Sequence, residues 1–212
     1  MKNLRLIAFA MIMMAAVGCK DAKPTTEEST PTTEVSEATY SVVNDSTKVS
    51  FTAYKTTDKT PVGGVFKEVK LTNTGKGNTA LEALNGTQFS IPVSSLFTND
   101  ATETRDAKIL QFFFGVLKNT ELISGKFKVE ADGTGAIEVL LNGKTATIPM
   151  QITTNSDTSL SFDGVMNLEN WDGLAAVASI NKACEALHTG KDGVSKTWSE
   201  VAVHADVLFS KN

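Results

Sequence analysis

The chain has 212 residues, 41% of them hydrophobic and 21% charged, which is room for one large β domain or two small ones. Its 20 basic against 24 acidic side chains leave a net charge of −4, which argues against a nucleic-acid binder with a basic stripe. A structural zinc site of four Cys or His ligands would need both cysteines and both histidines, which lie far apart in the chain, so no metal is expected.

Residues 1–18 read as a signal peptide. Lys2 and Arg5 open the chain, and Leu6 to Val17 is an apolar run too short for a typical membrane span. The run ends in Ala16-Val17-Gly18-Cys19, which resembles a bacterial lipobox. Cys19 is therefore the expected lipidation site and new N-terminus; the alternative is an ordinary secretory signal with a chance cysteine. Cys184 would then have no internal disulfide partner and is expected to be a small buried hydrophobe on a helix. Residues 19–38 carry the lipidated cysteine and a stretch rich in Thr, Ser and Glu without aromatics. Such a stretch buries too little surface to offset its ordering entropy, so it reads as a disordered tether. Lys20-Asp21 resembles the charged export tags of some surface lipoproteins.

From Tyr40 the pattern is that of strands. Val49, Phe51 and Ala53 alternate with Ser50, Thr52 and Tyr54. Thr60-Pro61-Val62-Gly63-Gly64 reads as a turn, Val65 to Leu71 as a strand of ambiguous face, and Asn73 to Asn85 as a connection. Phe89, Ile91 and Val93 alternate again. Asn99 to Phe114 has a helical period, with Asp100 and Glu103 placed as a capping box and Ile109, Leu110, Phe112 and Phe113 as the apolar face. Ile123, Gly125, Phe127 and Val129 follow as a strand face, and Asp132-Gly133 as a turn.

Residues 135–152 give the strongest local signal. Asn142-Gly143 suits a two-residue type I′ turn. That turn sets Leu141 opposite Lys144, Val139 opposite Ala146, Ile137 opposite Ile148 and Gly135 opposite Met150. One face is then apolar and the other carries Glu138, Leu140, Thr145, Thr147 and Gln151, as in an antiparallel sheet covering a core. Pro149 lacks an N–H toward the next strand, so a bulge or edge is expected there. Leu160, Phe162, Gly164, Met166 and Leu168 form the next inward face. Asp172 is placed to cap a second helix with Leu174, Val177, Ile180, Cys184 and Leu187 near one side, ended by Gly190. In the last strand, from about Thr197, Val201, Val203, Ala205, Val207 and Phe209 oppose Glu200, Ala202, His204 and Asp206.

These elements make an all-β protein of about eight antiparallel strands with two helical insertions, closed or nearly closed as a barrel; a sandwich is the competing architecture. No catalytic constellation stands out. His204 reads as a solvated strand residue. His188 lies at a helix C-terminal turn, where a cation would be favoured. No G-x-S-x-G segment or phosphate-cradling loop is present.

Several segments in order resemble the YceI-like family. Glu103 to Phe113, with Arg105-Asp106, Leu110 and Phe112-Phe113, is similar to its helix signature. Ser90 to Thr98 is similar to the strand and turn before it, Gly143-Lys144-Thr145 to its Gly-x-Thr segment, and Asn170 to Leu174 to its Asp-Phe-Gly segment, with Trp171 in place of phenylalanine. Lys108 departs from a common histidine, Asn167-Leu168-Glu169 lacks the usual basic residue, and Ala175 to Ser195 is longer than expected.

The resemblance covers about Tyr40 to Lys211 and implies a YceI-like, lipocalin-like barrel domain at 39–212 whose apolar tunnel holds a polyisoprenoid or similar long-chain amphiphile. The expected ligand-binding residues are Phe51, Ile91, Phe113, Phe127, Ile137, Val139, Ile148, Met150, Phe162 and Met166. Arg105 and Asp106 are expected at the rim, meeting a polar head, with a helix-surface ion pair as their alternative. The large inward side chains could instead fill a dry core. The expectation is thus a non-catalytic lipid or isoprenoid binder, without other cofactor, held by its N-terminal lipid at the bacterial cell envelope, on the periplasmic face of the outer membrane or the cell surface. A surface interaction protein using the barrel as scaffold is the alternative, and an enzyme on a lipid-like substrate is the third.

Overall fold

The computed structural model describes residues 39–129 and 134–212. The signal peptide, Cys19, the tether and the Asp132-Gly133 turn lie outside the described residues. The strands are β1 (Tyr40–Val42), β2 (Lys48–Lys55), β3 (Thr60–Phe66), β4 (Lys70–Thr72), β5 (Lys76–Gly77), β6 (Gln88–Pro92), β7 (Leu96–Phe97), β8 (Leu122–Val129), β9 (Gly135–Leu141), β10 (Lys144–Ser156), β11 (Ser159–Asn167) and β12 (Thr197–Lys211). The helices are α1 (Ala80–Leu84), α2 (Arg105–Phe112), α3 (Leu174–Ala183) and α4 (Glu185–His188).

The main sheet is antiparallel and runs β4-β6-β8-β9-β10-β11-β12-β2-β3-β7. Its two ends meet across two interrupted strands. β4 continues β3 after residues 67–69, and β7 continues β6 after the 3-10 turn Val93–Ser95. β3 pairs with β7, β4 pairs with β6, and between them the Lys67 amide donates to the Ser95 carbonyl at 3.0 Å. The sheet therefore curls into a barrel of eight staves, as the strand count predicts. The sequence supplies the interruption of β6. Pro92 has no N–H to continue the ladder, and the Ser95 hydroxyl donates to the Pro92 carbonyl at 2.7 Å. β1 extends the sheet beside the last residues of β12 and also pairs with β5.

The β9–β10 register is the expected one at all four named pairs, and Asn142 and Gly143 have φ of 54° and 70°, as a type I′ turn requires. Ile137, Val139, Leu141, Ile148 and Met150 are buried, while Leu140, Thr145, Thr147 and Gln151 are exposed. Pairing of β10 with β11 starts at Met150, so Pro149 faces no partner there, an edge as expected; the irregularity in that ladder falls at Thr154/Ser156.

Other expectations need correction. Thr60 to Gly64 is not a turn but the start of β3; the turn is Thr56 to Lys59, with φ of 58° and 53° at its ends. Gly64 pairs with Phe51, and a Cβ there would lie 2.5 Å from the Phe51 ring. The glycine marks a close approach to an aromatic ring rather than a bend. Asn73 to Asn85 contains β5 and α1. Thr79 caps α1 by accepting from the Glu82 amide at 3.1 Å, while the Glu82 carboxylate accepts from the Asn78 amide at 2.8 Å. Asp100 and Glu103 form no reciprocal box. Glu103 has φ of 55°, and Asp100 instead accepts from the Thr104 and Arg105 amides, so α2 begins at Arg105. Asp172 caps no helix start; it is left-handed, ends the 3-10 turn Leu168–Trp171, and pairs with Lys144 at 2.9 Å.

The antiparallel order sorts the connections to two ends. The β2–β3 and β9–β10 turns and the two helical insertions lie at one end, the mouth. The β10–β11 turn and α1 lie at the other, the foot.

Candidate functional site: a cavity inside the barrel

A cavity of about 660 Å³ occupies the barrel interior. This is within the range of small-molecule sites. Nine of the ten residues expected to bind ligand line it: Phe51, Ile91, Phe113, Phe127, Ile137, Val139, Ile148, Met150 and Met166. Phe162 does not. It is 1% exposed and packs edge-on against Phe127, centroids 5.4 Å apart, with Phe127 in turn against Phe89. Those rings pack the foot of the barrel together with Leu84, Leu160, Val207 and Phe209, and Phe89 and Phe127 also form the floor of the cavity.

Alternation positions the wall. On β2, Val49, Phe51 and Ala53 face the cavity, and on β12, Val201, Val203 and Ala205 do so. Val49, Phe51, Val201 and Val203 remain half-buried although they face inward, because they border the cavity rather than another side chain of the opposite wall. The insertions close over the wall. Phe114 and Ile109 reach in from one, and Val177, Ile180 and Cys184 from the other. Cys184 is a free thiol, buried as expected. Leu187 also lines the cavity although it is 59% exposed, whereas Leu174, expected on the same face, is 50% exposed and does not line it. Trp171 is fully buried and donates from Nε1 to the Val139 carbonyl at 2.9 Å, tying the second insertion to the wall. Asn142 accepts from the Lys118 amide at 2.8 Å and donates to the Trp171 carbonyl at 2.7 Å, so the hairpin turn holds both insertions.

Polar residues gather at the mouth: Lys55, Asp100, Thr102, Thr104, Arg105, Lys108, His188, Thr197 and Trp198. Arg105 lies there as expected, 3.2 Å from Asp100. The Thr102 hydroxyl holds the Asp100 carboxyl below its usual range; burial opposes this, and the Thr104 and Arg105 amides and the Arg105 charge reinforce it. Asp106 is not a rim group. It accepts from the Thr98 amide at 3.0 Å and hydroxyl at 2.5 Å, fastening α2 to the end of β7. His188 ends α4, but burial pushes its imidazole down and the Lys55 charge adds to this, so at neutral pH it is not the expected cation. Its Nδ1 lies 2.7 Å from the Thr197 hydroxyl, which donates to Asn181.

Sequence reasoning missed Lys55 and the cavity role of Lys108, though both signals were present. Lys55 continues the inward alternation of Val49, Phe51 and Ala53. Arg105, Lys108 and Ile109 share a face by spacings of three and four. Outside the barrel, His204 is bridged rather than freely solvated. Its Nδ1 lies 2.8 Å from Asp163 and its Nε2 3.2 Å from Asp206. Among the described residues no three His, Cys, Asp or Glu side chains are grouped as metal ligands.

No family model matches this sequence, and no curated protein matches it. Solved structures do. A polyisoprenoid-binding domain from Saccharophagus degradans, implicated in plant cell wall breakdown, is 11% identical with a TM-score of 0.57 over 82% of this chain and 99% of that one. BcnA of Burkholderia cenocepacia is 17% identical with a TM-score of 0.50 over 78% and 96%. A YCEI protein of Campylobacter jejuni is 17% identical over 68% and 84%, with a TM-score of 0.42. The chain thus shares the fold of the first two structures, a lipocalin-like barrel.

Proposed function

We propose that this chain is a YceI-like lipoprotein that binds a polyisoprenoid or similar long-chain amphiphile inside its barrel and performs no catalysis. The carrying observation is the cavity itself: about 660 Å³, walled mainly by inward-facing aliphatic and aromatic residues, with most of its polar residues gathered at its mouth. A filled core would pack Val49, Phe51, Val201 and Val203, neighbours on β2 and β12, against the opposite wall; here they border the cavity and stay half-buried. The fold shared with a polyisoprenoid-binding domain supports the same ligand class. Attachment at Cys19 and a place in the bacterial cell envelope, on the outer membrane's periplasmic face or the cell surface, belong to this reading and rest on the N-terminal sequence.

Mass spectrometry of an organic extract from natively purified protein tests the binding. A stoichiometric long-chain lipid or isoprenoid is expected; none, together with no uptake of any long-chain probe, would overturn it. Cys19→Ala tests the anchor, with loss of fatty-acid labelling and release from membranes expected. Unchanged labelling would remove the lipoprotein part alone. The exposure of Leu174, which does not line the cavity, favours the second reading, a surface protein docking through α3. Val177 and Ile180 of the same helix line the cavity, so α3 already serves the first.

A further inference from the structure

Large apolar residues are exposed unevenly over this barrel. Of the ten that stand exposed among the described residues, six lie at the mouth: Val116, Leu122, Leu140, Leu174, Leu187 and Val194. One sector of the rim joins such residues to the cavity. After α4 the chain folds back on itself: the Gly190 amide donates to the Val194 carbonyl at 2.9 Å, and the Lys196 amide to the His188 carbonyl at 3.1 Å. The Thr56 amide donates to the Lys196 carbonyl at 2.9 Å, which fastens this loop to the β2–β3 turn. Trp198 follows it. The indole Nε1 donates to the Thr56 carbonyl at 2.8 Å, and the ammonium groups of Lys59 and Lys196 lie 4.3 and 3.5 Å from the ring centroid. Trp198 is half-buried and lines the cavity, as does the exposed Leu187. The apolar surface of the rim is therefore continuous with the cavity wall. The loop belongs to Ala175 to Ser195, the segment longer than the resemblance to the YceI-like family leads one to expect.

We infer that this sector of the rim, Leu187, Val194 and Trp198 with Lys59 and Lys196, docks on the surface of a lipid bilayer, so that a ligand chain passes between bilayer and cavity without crossing water. The inference rests on the proposed function, because a long apolar chain resides in a bilayer and every CH2 group brought into water is unfavourable. An indole with an apolar body and a satisfied N–H suits the boundary between acyl chains and head groups. Lysines beside it lay their stems along apolar surface and keep their ammonium groups in the head-group layer. The chain outside the described residues is long enough to allow this. Tyr40 opens β1 at the foot, and the nineteen residues between Cys19 and Thr39 reach about 60 Å when fully extended. β12, with 15 residues the longest strand, spans about 50 Å. A chain anchored at Cys19 can therefore set its mouth on the bilayer that holds the anchor. Lys59 is paired with Glu200, so docking rests on apolar and aromatic contact and needs no anionic lipid.

Phosphatidylcholine vesicles with bromine on the acyl chains test it, since bromine quenches an indole only on contact. Trp171, the other tryptophan, is fully buried, so quenching reports Trp198. The native protein should lose Trp198 emission in brominated vesicles and keep it in plain ones. Val194 does not line the cavity, so Val194→Asp should leave isoprenoid binding without vesicles as it is. The same variant should lower the docked fraction about tenfold or more, because the carboxylate would have to leave water. Leu208→Asp, at an exposed position near the foot, should dock as the native protein does. Quenching that survives Val194→Asp overturns the inference, because a lipid chain that merely enters the cavity quenches without this residue. Absence of quenching in a native protein that binds isoprenoid also overturns it, and leaves the cavity reading standing and the rim to a protein partner. Quenching that depends on Val194 without any isoprenoid binding supports the docking surface and overturns the proposed function instead. Flotation of the same vesicles reports the Cys19 anchor separately, since with vesicles in excess docking quenches with or without it. If Val194→Asp does not fold, Val194→Ser decides in the same way with a smaller fall.

Discussion

The foot and the mouth of this barrel are built from the same alternating pattern and end in different states. At the foot, Phe89, Phe127 and Phe162 stack edge to face, and α1 brings in Ala83 and Leu84, both fully buried. At the mouth, Phe51, Val201 and Val203 face inward with equal regularity and stay half-buried beside an open volume. Inward orientation is set by the period of the strand; whether an inward residue meets another side chain is set by what the connections bring. A five-residue helix plugs one end. The insertions at the other lie over the wall and leave a cavity beneath them.

Truncation should separate the two regions most strongly. Phe162→Ala removes a fully buried ring and should cost about 3–5 kcal/mol of stability. Met166→Ala, on the half-buried cavity wall, should cost about 1–2 kcal/mol, since its side chain already borders empty space. Chemical denaturation of both variants checks this, and equal losses would erase the distinction.

The hairpin turn lies at the mouth yet belongs to the scaffold. Gly143→Val places a β-branched residue at φ of 70° and should destabilise the fold by about 1 kcal/mol or more, read as a lower midpoint of thermal unfolding. An unaltered midpoint would mean that the turn does not need its left-handed residues.

The smallest effect concerns the outer face. The hydrogen bond with Asp163 raises the His204 pKa; burial opposes this, and Asp206 contributes further in the same direction. A raised folded value means that the protonated pair stabilises fully below the unfolded value near 6.5, and that this contribution is lost as pH rises through the folded value. His204→Gln should therefore lower the unfolding midpoint at pH 5.5 and have little effect at pH 9. Equal effects at both pH values would show that the bridge acts without charge.

The wall was legible because Asn142-Gly143 fixes a register and alternation does the rest. The broken strands were less so. Gly63-Gly64 looks like a bend in sequence, and only the Phe51 ring lying across it shows why the residue must be small. The division between packed foot and hollow mouth was not legible at all, which is why Phe162 joined the expected wall: period 2 assigns a side and carries no information on depth. The capping of α1 was readable in Thr79 and Glu82, whereas the starts of α2 and α3 were not. Asp100 acts from four residues before the Thr104 cap, and Asp172 serves the preceding 3-10 turn.

The central claim is that the inward face meets a ligand chain. Binding of a fluorescent isoprenoid to the native protein, Val139→Asp and Glu138→Ala tests it most directly, with circular dichroism as the control for folding. Val139 lines the cavity, and Glu138, one residue away, pairs with Lys126 and Lys128 on the outer face. The native protein should bind, Val139→Asp should weaken binding by about tenfold or more through lost apolar contact and a desolvated carboxylate, and Glu138→Ala should leave it nearly unchanged. Equal losses in the two folded variants, or no binding by the native protein, would contradict the account.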